Sequence, residues 1–191
     1  MNSSGYIITG GPGSGKSTLL EAMRDAGYCC FSEVSRQLIR QQSLLADGVL
    51  PWNNLPAFAR LAFDAMMRQH DQAIDHDGIC FFDRGIPDVF GYLEEGGHPV
   101  PACYIDAHER CRYEKNVIVL PPWKEIFTND SERPQSFQQS VRLYRSICSV
   151  YERLGYTLHE LPKSSVNERV RYLLKHFTEL QAPARQQFYL H

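Results

Sequence analysis

GGPGSGKS occupies residues 10 to 17 and fits the pattern G-x-x-x-x-G-K-[ST] at every fixed position. Glycines are needed here because the backbone turns tightly and aims several N–H groups at phosphate oxygens. The apolar run Tyr6-Ile7-Ile8 precedes the pattern, and Leu19, Leu20 and Met23 mark one face of a helix after it. A strand, a glycine loop and a helix in this order predict a phosphate-binding loop.

The residues of this loop predict a binding site for Mg-ATP. Lys16 is expected against the β- and γ-phosphates, and the Ser17 hydroxyl is expected to ligate Mg²⁺. The positive end of the helix that begins near Gly15 favours the same anion. Thr18 is expected to pack or cap locally. The predicted nucleotide-binding set is Gly10, Gly11, Pro12, Gly13, Ser14, Gly15, Lys16, Ser17 and Thr18.

A second chemical signal stands at the end of a later strand. The apolar run Ile79 to Phe82 ends at Asp83, and open α/β sheets bind ligands at the carboxyl ends of their strands. Asp83 is predicted to hold a Mg²⁺-bound water, with helix capping as the alternative. Many ATP hydrolases carry Glu after this Asp, whereas Arg84 favours transfer to a bound acceptor. Asp88 either complements a helix dipole or takes part in the chemistry.

Candidates for the acceptor side follow the second predicted strand, Cys29 to Phe31. Glu33 should face the same crevice and is a candidate base for an acceptor hydroxyl. Arg36 is its candidate partner or a grip on an anionic acceptor, and the alternative for both is an ordinary surface ion pair. Trp52 and Phe58 lie where an acceptor ring could stack, although core packing is favoured for each.

Positive charge for the transferring phosphoryl group is expected from the polar segment 123–134, which has the position of a lid over the phosphates. Arg133 is the first candidate in it, ahead of Lys124, and the alternative for each is a solvated surface role. Closure of such a lid excludes water from the reaction. The catalytic candidates are therefore Lys16, Glu33, Arg84 and Arg133, and the candidate metal ligands are Ser17 and Asp83.

Short apolar runs alternate with longer helical periods along the chain. Five strands are predicted between helices, at residues 6–8, 29–31, 79–82, 117–120 and 156–161. This alternation predicts an α/β fold with three α/β/α layers and a five-stranded, mostly parallel sheet. One domain is expected over residues 1–180, with a tail at 181–191. Pro134 is expected in the first turn of the sixth helix, and the last helix is expected to bury Val170, Leu173, Leu174 and Phe177.

Composition narrows the possible partners. The formal net charge is -2, with no basic stripe, which argues against nucleic acid. No apolar run reaches the roughly 20 residues of a membrane helix, and the N-terminus lacks a signal-peptide pattern, so a cytoplasmic monomer or homodimer is expected. None of the six cysteines forms a C-x-x-C pair, which favours packing roles over zinc or redox chemistry.

Four stretches together carry a family resemblance: GGPGSGKSTLLEAM from residue 10, FFDRGIPDVFGYLE from 81, VLPPWKEIF from 119 and NDSERPQSF from 129. From Tyr6 to about Phe177 the chain resembles the predicted bacterial P-loop ATPases classed as a stand-alone AAA-type domain. It is more distantly similar to the nicotinamide riboside kinase domain of bacterial NAD regulators and to deoxynucleoside kinases. The resemblance implies a P-loop kinase-like fold with phosphate contacts at Gly13, Gly15, Lys16, Ser17 and Thr18.

The similarity to deoxynucleoside kinases also implies roles on the acceptor side. In those enzymes a Glu after the second strand is the base, and an acidic-Arg pair after the third contacts the acceptor. Glu33 and Asp83-Arg84 occupy these places. Val34 stands where that pattern has proline, so the class of acceptor is left open.

Two functions are compatible with these features. The first is a small-molecule kinase that moves the γ-phosphoryl group of ATP to a hydroxyl or phosphate of an unidentified acceptor. The second is a nucleotide-dependent switch or binding protein with slow hydrolysis. A GTPase is disfavoured because the chain has no N-K-x-D motif, and an AAA+ motor because the chain lacks a second domain and the Asp-Glu pair.

Overall fold

The computed structural model describes residues 3–111, 113–128 and 135–176. None of the helices in these ranges is long and apolar enough to cross a membrane. Strands and helices alternate in the described chain as β1 (Ser3–Gly10), α1 (Lys16–Asp25), β2 (Cys29–Phe31), α2 (Val34–Gln42), α3 (Leu55–Ile74), β3 (Gly78–Asp83), α4 (Ile86–Glu95), α5 (Ala102–Arg110), β4 (Asn116–Leu120), α6 (Phe137–Arg153), β5 (Thr157–Glu160) and α7 (Val166–His176).

The five strands form one sheet in the order β2-β3-β1-β4-β5, and every pair of neighbours is parallel. The predicted α/β fold is therefore confirmed, with a sheet that is parallel throughout the described residues. Ile8 of β1 lies opposite Asp83 of β3 on one side and Ile118 of β4 on the other. Because parallel strands end at a common edge, the glycine loop after β1 and the polar residues after β2 and β3 come together there.

Alternating side chains cover the sheet on both faces, as the apolar pattern of the strands requires. In β1, Tyr6 and Ile8 pack with α1 and α7, whereas Ile7 faces the larger core. In the same way Ile118 of β4 packs in the cluster that contains Tyr6 and Ile8, and Val119 packs in the larger core with Ile7. The larger core also holds buried residues of α3, α4 and α6, so the sheet lies between two helical layers.

Two local expectations about the helices are wrong. Helix α6 begins at Phe137 rather than near Pro134, because the Ser136 hydroxyl accepts a hydrogen bond from the Gln139 amide and caps the first turn. In α7, Leu173 is fully buried as expected, but Leu174 is 36% exposed. Phe177, the tail 181–191 and the part of the predicted lid at 129–134 lie outside the described residues.

Candidate nucleotide and acceptor site

The glycine loop has the backbone that a phosphate site needs. Gly10 has a φ of 141°, and a Cβ atom on it would lie 2.3 Å from the Leu120 carbonyl oxygen, so no side chain fits there. Gly15 has a φ of 88° and is the N-cap of α1. The N–H groups of the first turn of α1 therefore lie at the positive end of the helix, which favours an anion.

Lys16 lies inside this loop rather than on the surface. It is 3% exposed, and its Nζ donates hydrogen bonds to the carbonyl oxygens of Gly10 at 3.0 Å and Gly11 at 2.9 Å. A buried ammonium at the centre of a ring of backbone groups supplies the positive charge of the loop. The predicted contact of Lys16 with the β- and γ-phosphates stays a prediction.

Ser17 and Asp83 are brought together although 66 residues separate them. The Ser17 hydroxyl lies 3.5 Å from Asp83 Oδ2, and the aspartate is 3% exposed. Two hard oxygen donors side by side at the rim of a phosphate loop are the donors that Mg²⁺ prefers, so these residues fit the metal. The capping alternative for Asp83 is not borne out, since Gly85 is the N-cap of α4 and Asp88 bonds to the Gly85 amide.

Arg84 is the most constrained side chain of the site. It is 2% exposed and has a φ of 75°, in the left-handed region that few residues other than glycine adopt. Its Nε donates to Glu33 Oε1 at 2.9 Å, and its Nη1 donates to Asp88 Oδ1 and to the Gly10 carbonyl, both at 3.1 Å. Burial acts to lower the pKa of Arg84, but the nearby negative charges, Glu33 among them, raise it well above its usual range. The side chain therefore stays a cation.

Asp88 holds this arginine in place. Its carboxylate accepts hydrogen bonds from the Thr9 hydroxyl at 2.5 Å, the Tyr151 hydroxyl at 2.6 Å and the Gly85 amide at 3.0 Å, besides the Arg84 bond. The bond to Gly85 is the helix-start role expected from the sequence. The bonds to Thr9 and Tyr151 come from β1 and α6, and sequence reasoning missed them.

Glu33 is a buried residue and not part of an ordinary surface pair. It is 8% exposed, and its Oε1 receives the Arg84 bond. The Arg36 Nε lies 3.9 Å from the other oxygen, Oε2. The surface-pair alternative is therefore wrong for Glu33, because its main partner is an arginine buried across the crevice.

A narrow pocket, which we call the inner pocket, lies beside the Glu33–Arg84 pair. Its cavity volume is about 50 Å³. Arg84 forms part of its wall, and the buried Arg84 Nη2 has no hydrogen-bond partner among the residues that the structure describes. Apolar side chains form much of the wall, including Ile39, Leu55, Phe58, Ala59, Met66 and Val89.

Phe58 and Trp52 have different surroundings, although core packing is favoured for both from the sequence. Phe58 is buried, as expected, and also lines the inner pocket. Trp52 is 50% exposed, so the core expectation is wrong for it. Trp52 lies in the turn between α2 and α3, whereas Phe58 lies on α3 itself.

A second and wider space, which we call the P-loop cavity, lies on the other side of Arg36. Its volume is about 490 Å³, and its wall includes the loop residues from Gly13 to Thr18. Arg36 lines both the P-loop cavity and the inner pocket. One arginine therefore stands between a phosphate-binding space and a separate, mostly apolar one.

Sequence reasoning missed Arg169, which closes the far side of the P-loop cavity. This residue of α7 is 3% exposed, and its Nη1 lies 3.4 Å from the Ser14 carbonyl oxygen. Its guanidinium also stacks on the Trp123 ring, 4.8 Å from the ring centroid. Its Nε also donates to the nearby Pro162 carbonyl oxygen at 3.1 Å. No local pattern marks Arg169, because its contacts with Ser14 and Trp123 join distant parts of the chain.

The described part of the predicted lid lies directly against the glycine loop. The Phe127 ring is so close to Gly13 that a Cβ atom there would come within 2.7 Å of it. Lys124, a second candidate for phosphate contact, is exposed in this structure. Arg133, the first candidate, lies outside the described residues, so its role stays a prediction.

The fold is shared with solved nucleoside and nucleotide kinases. Deoxyadenosine kinase from M. mycoides, solved with the products dCMP and a flexible dCDP, matches with a TM-score of 0.66 at 16% identity, over 92% of this chain and 100% of that one. The NadR protein in complex with NR matches with a TM-score of 0.69 at 12% identity, over 95% of this chain and 52% of that one. The P-loop kinase-like fold is therefore confirmed.

Sequence comparisons add a relative and a family. A curated nucleotide-binding protein from Geotalea daltonii is 33% identical over 102 residues, which are 53% of this chain but only 30% of that protein. The chain thus spans less than a third of this relative. A family model described as an AAA domain matches residues 5–169, which confirms the resemblance seen in the sequence. The chain belongs to this AAA-domain family.

Proposed function

We propose that this protein is an ATP-dependent phosphotransferase that moves the γ-phosphoryl group of Mg-ATP to a hydroxyl or phosphate oxygen of a small molecule. The observation that carries the proposal is the pair of adjoining spaces, the P-loop cavity and the inner pocket, with Arg36 in the wall of both. A protein that only binds or hydrolyses a nucleotide needs the first space. A kinase needs the second as well, for its acceptor.

The nucleotide would occupy the P-loop cavity with its phosphates on the glycine loop. Lys16 supplies charge to the β- and γ-phosphates, and the first turn of α1 supplies N–H donors. The base would lie toward Trp123 and Arg169, where an aromatic ring and a guanidinium give it flat surfaces to stack on. In this proposal the segment from Gly10 to Thr18 binds the phosphates.

Ser17 and Asp83 would hold the magnesium ion that accompanies ATP. A magnesium ion held by these two oxygens would supply positive charge that offsets the negative charge of the phosphates during transfer. The Asp83 carboxylate is fixed for this task by its place at the end of β3, in register with Ile8 just before the glycine loop. The metal role thus uses a rigid strand rather than a loop.

The reacting end of the acceptor would enter the inner pocket and present its oxygen near Glu33. For a hydroxyl acceptor, the oxygen attacks the γ-phosphorus, the bond to the β–γ bridging oxygen breaks, ADP leaves, and the hydroxyl proton passes to the Glu33 carboxylate. Arg84 holds that carboxylate at 2.9 Å, and Asp88 holds Arg84 in turn. The apolar walls exclude water, which limits hydrolysis of ATP.

A nucleotide-dependent binding protein with slow hydrolysis is the second candidate. One observation favours it: the curated relative is named only as a nucleotide-binding protein, and it is much longer than the segment it shares with this chain. In that case the nucleotide would control contacts elsewhere, and the inner pocket would have no acceptor.

Measurement of ADP release from Mg-ATP separates the two candidates. The protein is assayed alone and with nucleosides, nucleotides and small alcohols; nucleosides and nucleotides come first because the fold matches are a deoxyadenosine kinase solved with dCMP and dCDP and NadR solved with NR. We expect one acceptor class to raise ADP release well above the rate with ATP alone. We expect Lys16→Ala and Glu33→Gln to remove this increase, with Glu33→Gln lowering it about 10²- to 10⁴-fold.

Two surface variants serve as matched controls in this assay. Lys175→Ala removes an exposed lysine of α7, and Glu152→Gln neutralises an exposed glutamate of α6. Both should behave as the wild type does. If Mg-ATP binds tightly, no acceptor changes the rate and Glu33→Gln matches the wild type, the protein is not a kinase and the second candidate stands.

A further inference from the structure

Three metal-binding side chains meet at the edge of the sheet opposite the glycine loop. Cys29 begins β2, Cys80 lies near the start of β3, and His76 lies in the turn that leads into β3. The two cysteines are direct partners in the parallel register of β2 and β3. One ligand atom from each of the three residues lies within 4.8 Å of the other two.

The types of ligand atom in this cluster determine which metal ions it can bind. Two thiol sulfurs and one imidazole nitrogen are soft or borderline ligands, which select Zn²⁺ and similar cations over Mg²⁺ or Ca²⁺. We propose that Cys29, His76 and Cys80 form a binding site for a thiophilic divalent cation of the Zn²⁺ type. The site is separate from the Mg²⁺ site proposed at Ser17 and Asp83 and does not depend on the proposed kinase activity.

The distances allow such a site with little movement. Zn–S bonds of about 2.3 Å and Zn–N bonds of about 2.0 Å place tetrahedral ligand atoms about 3.6–3.8 Å apart. The three atoms are already within 4.8 Å of one another, so closure requires shifts of about an ångström at most. His76 is exposed and is on a turn, so it can make most of this shift, while Cys80, at 0% exposure, is held by the core.

Burial also sets how the metal would be reached and released. Cys29 is half-buried and His76 is exposed, so the site opens to solvent on the histidine side. A fourth position is left for water. Each thiol gives its proton to solvent as its sulfur–metal bond forms, the imidazole binds as the neutral ring, and no electron is transferred.

The position of the site predicts what the metal would do. Strand β2 has three residues and lies at the edge of the sheet, where it pairs with β3 alone among the described strands. A metal bound by Cys29 and Cys80 would join these two strands at one end. The other ends of the same strands lead to Glu33 and Asp83, so the cation would stabilise the edge strand that positions the acceptor side of the crevice.

The sequence alone does not predict the cluster of Cys29, His76 and Cys80. The absence of a C-x-x-C pair argues against zinc at the level of sequence, but that pattern identifies only ligands that are close along the chain. Here Cys29 and Cys80 are neighbours through strand pairing, which only the sheet topology reveals.

Cobalt titration tests the site. Reduced, metal-free protein is titrated with Co²⁺ without oxygen, and the thiolate-to-cobalt charge-transfer absorption is followed. We expect one equivalent to give this absorption and Zn²⁺ to displace the cobalt. Cys29→Ser and His76→Asn should each weaken Co²⁺ binding about tenfold or more, whereas Cys103→Ser, at an exposed cysteine outside the cluster, should bind as the wild type does.

Two further measurements distinguish loss of the metal site from misfolding of the variants. Circular dichroism of the Cys29 and His76 variants should match the wild type, and Mg-ATP affinity should be unchanged, since neither residue lines the P-loop cavity. Absence of thiolate absorption at one equivalent of Co²⁺ would overturn the proposal. Unchanged affinity in both variants, or a Cys29–Cys80 disulfide that forms in air even with one equivalent of Zn²⁺ present, would do the same.

Discussion

Arg84 Nε lies 2.9 Å from Glu33 Oε1, and this buried ion pair joins the end of β3 to the start of α2. Glu33 is the N-cap residue of α2, and Arg84 is the first residue after Asp83. The pair therefore fixes the candidate base and the candidate metal ligand relative to each other. Asp88, which receives the other arm of the guanidinium at 3.1 Å, makes the arrangement rigid.

Arg84→Lys should lower the free energy of unfolding by about 3 kcal/mol. The lysine keeps the charge, and its backbone cost at a φ of 75° is the same. Its three N–H donors lie on one nitrogen, however, so they cannot reproduce the contacts that Arg84 makes with Glu33 through Nε and with Asp88 and the Gly10 carbonyl through Nη1. Urea denaturation measures the loss. The variant should also lose acceptor-dependent ADP release.

Arg142→Lys is the matched control for this change. Arg142 pairs with Glu95 at the same 2.9 Å distance, but both side chains are at least 32% exposed. The same substitution there should cost less than about 1 kcal/mol. Equal losses at Arg84 and Arg142 would mean that burial of the Glu33–Arg84 pair adds nothing to stability.

Gly10→Ala should abolish Mg-ATP binding. Its Cβ atom would lie 2.3 Å from the Leu120 carbonyl oxygen, a backbone atom that cannot move without displacing β4. Gly97→Ala is the control, because Gly97 also has a positive φ, 74°, but no atom lies within 4 Å of a Cβ there. The control should lose about 1–2 kcal/mol of stability from backbone strain and keep the wild-type affinity for Mg-ATP. Fluorescence titration with a labelled ATP compares the two, and wild-type affinity in Gly10→Ala would contradict the geometry of the loop.

Stability should fall as the pH decreases from about 6.5 to 4, partly because of His108. Burial, helped by Lys115, lowers the pKa of His108 to about 4 in the folded protein, against about 6.5 in an unfolded chain. In this interval the unfolded chain binds a proton that the folded protein does not, so protonation favours unfolding. His108→Gln, which can still bond to the Tyr156 hydroxyl, should reduce the slope of unfolding free energy against pH.

Urea denaturation at several pH values measures that slope. One proton contributes at most about 1.4 kcal/mol per pH unit. Burial also lowers the pKa of His70, so some slope of the same sign should remain in His108→Gln. Identical slopes in the variant and the wild type would show that His108 is not protonated on unfolding in this range.

The sequence predicted what local patterns encode. The glycine loop and the strand-end residues Glu33 and Asp83 each stand next to a marked apolar run, and parallel strands bring such ends to one edge. The sequence could not predict side-chain contacts between residues that are far apart along the chain and meet only through tertiary packing. Thr9 and Tyr151 reach Asp88 across 79 and 63 residues, and these contacts leave no periodic pattern in the sequence.

The two aromatic candidates for acceptor stacking also show that sequence alone does not determine which side chains are buried. Apolar character alone favours burial for Trp52 and Phe58, yet only Phe58 lies on a helix that packs against the core. Arg169 shows the reverse case, since it is charged but only 3% exposed. Its side chain contacts the Trp123 ring and the carbonyl oxygens of Ser14 and Pro162. Side-chain type is thus a weaker guide than position in the fold.

Arg36 should affect the transfer step more than nucleotide binding. It lines both the P-loop cavity and the inner pocket, so in the proposed reaction its guanidinium would lie close to the phosphoryl group as this group passes from ATP to the acceptor. Loss of one such donor to a transition state typically costs about 10²–10³ in kcat. We expect Arg36→Ala to lose this much acceptor-dependent kcat, and Arg36→Lys to lose less because it keeps the charge.

Arg40→Ala is the control for this prediction, since Arg40 lies one turn further along α2 and is exposed. It should keep the wild-type kcat. Steady-state kinetics with the acceptor from the ADP-release assay, combined with direct titration of Mg-ATP, separates transfer from binding. If Arg36→Ala weakens Mg-ATP binding but leaves kcat intact, Arg36 serves the nucleotide alone, and the acceptor must approach the γ-phosphate without passing this residue.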